Sequence, residues 1–278
     1  MPKSIKYFNV PNLFTLLNLF CGFAAIILVL EDKDYLIWAS LLIFSGMIFD
    51  FMDGFFARLL NQYSDLGKQL DSLADLVTFG VAPSIIVYQL LKISLKVTDF
   101  SFELPVWQIL VLISPILIVF FSALRLAKFN IDERQFDQFL GIPTPVSAFF
   151  FASLPLLKDF NPDELIIISK WMDIDLPMMT WAALIGLQVF AMENIFFYLV
   201  PVVLFSALLV IELPMFSLKF RDINLERNRT RYFFVAVSFF LILFLQTLSF
   251  PLIIFLYILL AIARNTVYRI KGEQEIVD

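Results

Sequence analysis

Long apolar stretches separated by short polar segments dominate the hydropathy pattern of this chain. A membrane-spanning α-helix needs about 20 predominantly apolar residues. The pattern therefore predicts an all-α, polytopic transmembrane helix bundle with about eight transmembrane helices. The predicted helices cover residues 12–30, 36–59, 72–92, 106–127, 140–157, 194–213, 232–248 and 250–265.

Two regions of the pattern call for a closer description. The last two stretches are separated by little more than Ser249 and Pro251, which predicts a tight hairpin. Residues 158–193 are apolar but interrupted by charges and Pro177, which favours a long loop with an interfacial helix; a ninth or re-entrant segment stays open. We expect a catalytic transmembrane core of six helices over 1–213, a basic loop over 214–231, and a C-terminal hairpin with a short tail over 232–278.

Composition supports a membrane protein and removes several kinds of chemistry. Hydrophobic residues make up 60% of the chain and the mean hydropathy is +0.87, whereas soluble domains are about 45–50% apolar. The net charge of −5 gives no case for nucleic-acid binding. Histidine is absent, which excludes a histidine base, a Ser-His-Asp triad and the usual zinc site. The lone Cys21 cannot form an intrachain disulfide.

The distribution of Lys and Arg predicts the orientation of the chain in the membrane. Loops on the cytoplasmic side carry an excess of these residues. With the N-terminus inside, 15 of the 20 fall on the inner side and 5 on the outer side. We therefore expect an integral membrane protein whose second and third helices meet at the cytoplasmic face.

Acidic residues at that face form the main candidate site. Asp50 and Asp53 are three positions apart, and Asp71 and Asp75 are four apart, so each pair shares one helical face. The two helices run in opposite directions and are joined by a predicted loop over 60–70. We expect the four carboxylates to converge.

Four converging carboxylates need a compensating positive charge. One charged Asp at mid-membrane costs roughly 2.5–3.5 kcal/mol on insertion scales, and Arg58 supplies a single positive charge. Two divalent ions would balance the cluster, and ligation by oxygen alone favours Mg²⁺ or Mn²⁺, with Ca²⁺ as an alternative. Such metals commonly complete their shell with substrate phosphates. The simpler alternative is a solvated helix end.

Small residues accompany the aspartates. Gly54, Ala57 and Gly67 would leave room for a flat ring or a ribose beside the backbone. Close packing of membrane helices explains such residues equally well.

The spacing of these residues resembles the signature of the CDP-alcohol phosphotransferase family. All eight fixed positions match: Asp50, Asp53, Gly54, Ala57, Arg58, Gly67, Asp71 and Asp75. The resemblance implies a membrane enzyme in which an acceptor alcohol displaces CMP from a CDP-linked lipid. It also implies that the enzyme is a homodimer surrounded by membrane lipids.

The resemblance also implies a role for each matched position. Asp50, Asp53 and Asp71 would be metal ligands, and Asp75 would complete a dinuclear site and act as the general base. Asp53 and the four remaining positions, Gly54, Ala57, Arg58 and Gly67, would hold the CDP moiety.

Further stretches resemble the serine-using members of this family from bacteria and archaea. They are NVPNLFTLLNLFCGF at 9–23, FGVAPS at 79–84, ALRLAKFN at 123–130 and FLGIPTPVSAF at 139–149. The resemblance implies CDP-diacylglycerol and L-serine as substrates and a prokaryotic inner membrane as the location.

Polar residues near these stretches are candidates for binding the two substrates. Arg125 can make a two-pronged bond to the serine carboxylate, with Lys128 as the second cation and Asn130 and Thr144 as polar neighbours. Lys and Arg also extend to the membrane surface without binding anything, and this explanation stays open for both cations.

On the first helix, three polar residues spaced three apart share a face. Asn12 and Thr15 are assigned to the CDP-lipid, and Asn18 lies one turn further along. Helix capping by Asn12 and hydrogen bonding between helices are the alternatives.

Two other functions stay open at this point. The acceptor could be glycerol phosphate or inositol phosphate, since Arg125, Lys128 and Arg134 could bind an added phosphate. A transporter could use the aspartates as an ion or proton relay, but a relay predicts carboxylates spread along a path through the bilayer.

Overall fold

The computed structural model of the chain describes residues 8–131, 139–159, 193–216 and 228–271, together with Gly186 and Phe190. Two short strands, β1 (Phe139–Leu140) and β2 (Pro214–Met215), pair antiparallel, with Phe139 opposite Met215. The described residues are otherwise almost entirely helical. The helices are α1 (Val10–Glu31), α2 (Leu36–Leu59), α3 (Asp65–Asp75), α4 (Ala82–Leu95), α5 (Val106–Ile113), α6 (Ile116–Ile131), α7 (Thr144–Ser153), α8 (Ile195–Val210), α9 (Arg229–Leu245) and α10 (Ser249–Lys271).

Helices α1 and α2 form an antiparallel hairpin, as the two apolar stretches predict. The side chain of Asn9 caps α1 by accepting a 2.8 Å hydrogen bond from the backbone N–H of Asn12. The Phe14 ring near the start of α1 stacks on Phe56 near the end of α2, with centroids 5.0 Å apart. The first turns of α1 therefore lie beside the aspartates of α2.

Helix α3 begins earlier than the sequence pattern indicates. The predicted helix starts at residue 72 after a loop over 60–70, whereas α3 starts at Asp65. The Ser64 hydroxyl accepts a 3.0 Å hydrogen bond from the Gly67 N–H, which caps the helix seven residues sooner. The prediction of a loop over 60–70 was wrong. The first turns of α3 contain few apolar residues and include Gly67, so the sequence pattern there is that of a loop.

A π-helical segment joins α3 to α4. Residues Leu76–Val81 have π-helical backbone directly after Asp75, and the run Asp65–Leu95 is continuous and apolar enough to cross a membrane. Segments of π-helix change the direction in which side chains leave a helix and are frequent at functional sites.

The fourth predicted helix is interrupted near its middle. Helices α5 and α6 together cover Val106–Ile131, and the break falls at Ser114 and Pro115. Proline lacks the backbone N–H that continues a helix. Helix α6 extends beyond the predicted end at residue 127 and so includes Asn130.

Helix α7 is shorter than the predicted helix over 140–157. Gly141 has a φ of +77° and its N–H donates a 2.8 Å hydrogen bond to Leu213 O, so the backbone there turns toward the segment after α8. The helix starts at Thr144, after Pro143, and gives way to a 3₁₀ segment, Leu154–Asp159. The predicted start at 140 was wrong because residues 139–140 form β1.

Helices α9 and α10 fold back on one another. The rings of Phe234 in α9 and Tyr257 in α10 have centroids 5.8 Å apart, which requires antiparallel helices. The chain reverses at Gln246, whose φ is +45°. Phe216, beyond β2, packs against both rings, with centroids 6.1 Å from Phe234 and 4.8 Å from Tyr257.

The helical membrane architecture is confirmed, whereas the number of crossings stays a prediction. Within the described residues, five helical stretches are long and apolar enough to span a membrane, and the last of them contains the α9–α10 reversal. Thr144–Leu157 and Ile195–Val210 are shorter apolar helices. The core between the helices is rich in aromatic side chains, with Phe150 and Phe205 stacked at 4.4 Å.

Several predictions fall outside the described residues. They concern most of the segment 158–193, the side chain of Arg134, and the basic residues within 217–227. The division into a core, a basic loop and a C-terminal hairpin stays a prediction.

Candidate active site

Three of the predicted metal ligands lie together where α2 meets α3. One carboxylate oxygen from each of Asp50, Asp53 and Asp71 lies within 4.8 Å of the others. Asp53 is buried and the other two are half-buried. We call these three residues the trio. They meet because Asp50 and Asp53 share one face of α2, and this face packs against the face of α3 that carries Asp71.

Asp75 lies one turn deeper, beside the trio. Its carboxylate is 8% exposed and close enough to Asp50 and Asp71 to interact with their charges. The side-chain N–H of Asn18 donates a 3.0 Å hydrogen bond to Asp75 Oδ1. Asp75 is therefore buried to the same degree as Asp53, whereas Asp50 and Asp71 are half-buried.

Helix α1 supplies a second neutral donor to the cluster. The hydroxyl of Thr15 lies 2.7 Å from Asp53 Oδ2 and donates to it. Thr15 and Asn18, both almost fully buried, therefore each contact a different carboxylate from one face of α1. The polar face predicted on the first helix is present, and it contacts the aspartates directly.

The chemistry of this cluster fits a divalent cation. Two side chains of α1 that carry no charge, Thr15 and Asn18, donate hydrogen bonds to Asp53 and Asp75. Asp71 Oδ1 is buried and has no hydrogen-bond partner among the described residues. Carboxylate oxygens without a cationic side chain between them are the donor set that Mg²⁺ and Mn²⁺ prefer. The trio supplies oxygen atoms from two helices that could hold such an ion.

Two of the signature's small residues stand in different surroundings. A Cβ added at Gly54 would meet no atom within 4 Å, so open space adjoins the backbone next to Asp53. A Cβ at Gly67 would lie 3.1 Å from Asn12 Oδ1 and 3.0 Å from Ser64 Oγ, so this glycine lets α3 approach α1. The sequence alone gave equal weight to two explanations of these glycines, close helix packing and space for a ligand. The geometry favours space for a ligand at Gly54 and close helix packing at Gly67.

The other two matched positions lie one helical turn beyond Gly54 on α2. Ala57 is half-buried and Arg58 is exposed near the end of α2. The methyl group of Ala57 cannot form a hydrogen bond, and the Arg58 side chain forms no ion pair with another described residue.

Arg125 is buried in α6 and engaged with the end of α8. Its Nη1 donates a 3.3 Å hydrogen bond to the backbone oxygen of Leu209. The absence of a side chain at Gly141 makes room for it, because a Cβ there would lie 2.9 Å from Nη1. This arrangement explains why the chain needs a glycine with positive φ at position 141.

The remaining predicted acceptor residues lie at the same end of the helices. Lys128 forms a 2.6 Å ion pair with Glu212. Asn130 donates a 2.8 Å hydrogen bond to Ser72 Oγ, one residue from Asp71, and its backbone oxygen accepts from Lys68 at 2.8 Å. Thr144 is buried at the start of α7.

Sequence reasoning missed three contributors to this region. Asn18 was noticed on the polar face of the first helix but was not assigned to the site. Thr78, whose hydroxyl donates a 2.9 Å hydrogen bond to the Asn18 backbone oxygen, lies three residues beyond Asp75 on the same helix face, a signal that could have identified it. Glu212, the partner of Lys128, has no signal in the local sequence because it lies 84 positions away.

Comparison with known proteins decides the family. The family model for CDP-alcohol phosphatidyltransferases matches residues 8–187, well over half of the chain and all four aspartates. The chain belongs to the CDP-alcohol phosphatidyltransferase family. It is therefore a phosphatidyltransferase, and enzymes of this family generally depend on divalent metal ions.

Several individual members of the family are similar to this chain in sequence. The chain is 38% identical over 153 residues to a CDP-diacylglycerol–serine O-phosphatidyltransferase from Bacillus subtilis, covering 55% of this chain and 77% of the relative. It is 36% identical to the protein of that name from Helicobacter pylori strain J99, covering 54% of this chain and 58% of the relative. An archaetidylserine synthase from Methanothermobacter thermautotrophicus is 33% identical, with coverages of 55% and 60%.

Proposed function

We propose that the chain transfers the phosphatidyl group of CDP-diacylglycerol to the hydroxyl of L-serine, giving phosphatidylserine and CMP. The family match supports a CDP-linked lipid as donor, and the names of the relatives support serine as acceptor. The observation that carries the proposal is the trio, in which three carboxylates meet next to the open space at Gly54 and form no ion pair with a described Lys or Arg.

The trio and Asp75 would hold the divalent metal, which we propose to be two ions of Mg²⁺ or Mn²⁺, with Ca²⁺ as the weaker alternative. Asp50, Asp53 and Asp71 offer oxygens that already converge, and Asp75 lies beside them. A bound divalent ion would supply positive charge to the diphosphate and stabilise the departing CMP.

The CDP moiety would lie over the open backbone at Gly54. Ala57 keeps the next turn of α2 small, and exposed Arg58 offers a cation for a phosphate. Asn12 and Gly67 close the other side, where α1 and α3 touch. The Thr15 hydroxyl donates a hydrogen bond to Asp53, so Thr15 would influence the nucleotide indirectly, by orienting the Asp53 carboxylate.

Asp75 would act as the general base. The serine oxygen would form a bond to the lipid-linked phosphorus, the bond from that phosphorus to the CMP oxygen would break, and the hydroxyl proton would pass to Asp75. Burial of Asp75 and its hydrogen bond from Asn18 keep the carboxylate oriented and shielded from bulk water.

Arg125 would recognise the serine carboxylate from the side of α6. The guanidinium carries a positive charge and five N–H donors in the planar geometry that suits a carboxylate. Lys128 is engaged with Glu212, so this ion pair would form part of the polar boundary rather than contact serine directly. Asn130 and Thr144 would complete the polar boundary of this pocket.

The expected setting is a homodimer in a prokaryotic inner membrane with the site facing the cytoplasm. The distribution of Lys and Arg in the sequence supports that orientation. The transporter alternative has less support, because Asp50, Asp53 and Asp71 converge with Asp75 beside them, whereas a relay needs carboxylates spread along a path across the bilayer.

A panel of acceptors tests the proposal. The purified chain is incubated with CDP-diacylglycerol, Mn²⁺ and one alcohol at a time: L-serine, glycerol 3-phosphate, inositol phosphate or ethanolamine. We expect CMP release with L-serine and little with the others. Release that depends on a phosphorylated alcohol would overturn the serine assignment, and absence of release with every alcohol would overturn the donor assignment.

A further inference from the structure

Asn18 is bonded twice to the helical segment that carries Asp75. Its side-chain Nδ2 donates to Asp75 Oδ1 at 3.0 Å, and its backbone oxygen accepts from the Thr78 hydroxyl at 2.9 Å. Asn18 itself is 0% exposed. It lies outside the eight-residue signature, and the contact joins positions 57 apart in the chain.

The amide of Asn18 is only half satisfied. Its Oδ1 is buried and has no hydrogen-bond partner within the described part of the chain. Leaving a buried acceptor unpaired costs about 1–3 kcal/mol. An apolar side chain of similar size would fill the same volume without that cost, so the feature that the asparagine adds is the N–H directed at Asp75.

Tight helix packing fixes Asn18 relative to Asp75. A Cβ at Gly22 would lie 2.6 Å from Thr78 Cα, and a Cβ at Gly46 would lie 2.7 Å from Thr78 Cγ2 and 3.0 Å from Asn18 Oδ1. Helices α1 and α2 therefore both touch the first turn of the π-helical segment. With so little free space, Asn18 cannot move away from Asp75 without moving a helix.

We propose that Asn18 is a positioning residue for Asp75. By donating to Oδ1, it fixes the plane of the carboxylate that would accept the proton of the acceptor hydroxyl. This inference rests on the proposed role of Asp75 as general base. It extends that role to α1, so that Thr15 orients a residue of the trio and Asn18 orients the base.

The substitution Asn18→Leu in the full chain tests the proposal. We expect kcat to fall by about 10–100-fold, because a small misplacement of a catalytic group has effects of this size. The KM for CDP-diacylglycerol should stay within about twofold of the wild type and the number of CDP molecules bound per chain with Mn²⁺ should not change, because Asn18 donates to none of Asp50, Asp53 and Asp71 and the substitution keeps the Asp75 carboxylate.

Two further variants separate positioning from folding. Asn18→Ala removes the same N–H donor without adding atoms to the packed site. If the leucine variant fails to fold, the alanine variant therefore still tests the proposal. Ser40→Ala is a matched control, because Ser40 is also 0% exposed but donates to Leu36 O in its own helix at 2.9 Å. The control should keep wild-type kcat.

The outcomes are distinct. A fall in kcat with unchanged KM and unchanged CDP stoichiometry supports positioning. A kcat within threefold of the wild type in both Asn18 variants, or a loss of CDP binding in step with kcat, overturns it. The comparison uses whichever alcohol the wild-type chain accepts, so an error in the serine assignment does not affect it; if the wild type releases CMP with none of them, the proposed function fails as well.

Discussion

The hydroxyl of Thr15 donates a hydrogen bond of 2.7 Å to Asp53 Oδ2, joining two residues 38 positions apart. Both side chains are buried, at 3% and 8% exposure. The contact connects the first turns of α1 to the trio at the end of α2. Residues of α1 therefore belong to the candidate active site even though they lie outside its acidic motif.

Loss of the Thr15 hydroxyl should weaken metal binding. In Thr15→Val the shape of the side chain is kept, but Asp53 loses the donor that orients it. Partners that orient a metal ligand typically contribute 10–100-fold to metal affinity or activity. We expect the Mn²⁺ concentration for half-maximal CMP release to rise by about tenfold or more. Thr15→Ser keeps the hydroxyl and should stay near the wild type; equal behaviour of the two variants would contradict this role.

Removal of one carboxylate from the trio should abolish activity without unfolding the chain. Asp71→Asn keeps the shape of the side chain and removes a charge that no described cation offsets. We expect CMP release to fall by about 10²–10³-fold or more and Mn²⁺ binding, measured by calorimetry, to weaken. Asp65→Asn, at the exposed first turn of the same helix, is the control and should retain activity. Wild-type Mn²⁺ affinity in Asp71→Asn would exclude that residue as a ligand.

Two glycine substitutions on α2 should have opposite effects. In Gly46→Ala the new methyl group would lie 2.7 Å from Thr78 Cγ2, and overpacking of this kind costs about 1–3 kcal/mol. Gly54→Ala meets no atom within 4 Å and should stabilise α2 by roughly 0.5–1 kcal/mol. We expect thermal unfolding to occur earlier in Gly46→Ala only, and the KM for CDP-diacylglycerol to rise in Gly54→Ala only.

An unchanged KM in Gly54→Ala would show that the CDP moiety lies elsewhere. Matching melting temperatures for the two variants would contradict the close contact of α2 with the π-helical segment. The pair serves as its own control, since both changes add one methyl group to the same helix.

Replacement of Arg125 should affect the acceptor more than the lipid. Arg125→Lys keeps a positive charge but removes the planar, two-pronged geometry that suits a carboxylate. We expect the KM for serine to rise by about tenfold or more, a loss of about 1.4 kcal/mol of binding, while the KM for CDP-diacylglycerol stays within twofold. Lys92→Gln, near the far end of α4, is the control. An equal rise in both KM values would assign Arg125 a structural role through Leu209.

Much of this architecture follows from local sequence, and the errors have local causes. Apolar length predicted α1 and α2 to within two residues, because a spanning helix must satisfy its own backbone hydrogen bonds. The start of α3 was missed because residues 65–71 form a polar helical turn capped by Ser64, which hydropathy cannot distinguish from a loop. The late start of α7 depends on the pairing of β1 with β2, a contact with distant residues.

The candidate site shows the same division between local and distant information. The spacing of Asp50 with Asp53 and of Asp71 with Asp75 predicted two acidic helix faces, and the antiparallel arrangement of the two helices predicted that they converge; the structure brings Asp50, Asp53 and Asp71 together. The contact between Asn18 and Asp75 depends on how α1 packs against α3, which no local pattern encodes. The same holds for the ion pair of Lys128 with Glu212.

The fate of a labelled phosphorus tests the central claim most directly. CDP-diacylglycerol labelled at the phosphorus next to the diacylglycerol is incubated with the purified chain, L-serine and Mn²⁺. The account predicts that the label appears in phosphatidylserine, that one CMP is released for each lipid formed, and that a chelator or Asp71→Asn stops both. Label recovered in the soluble nucleotide or in phosphatidic acid, or transfer that continues after the chelator is added, would contradict it.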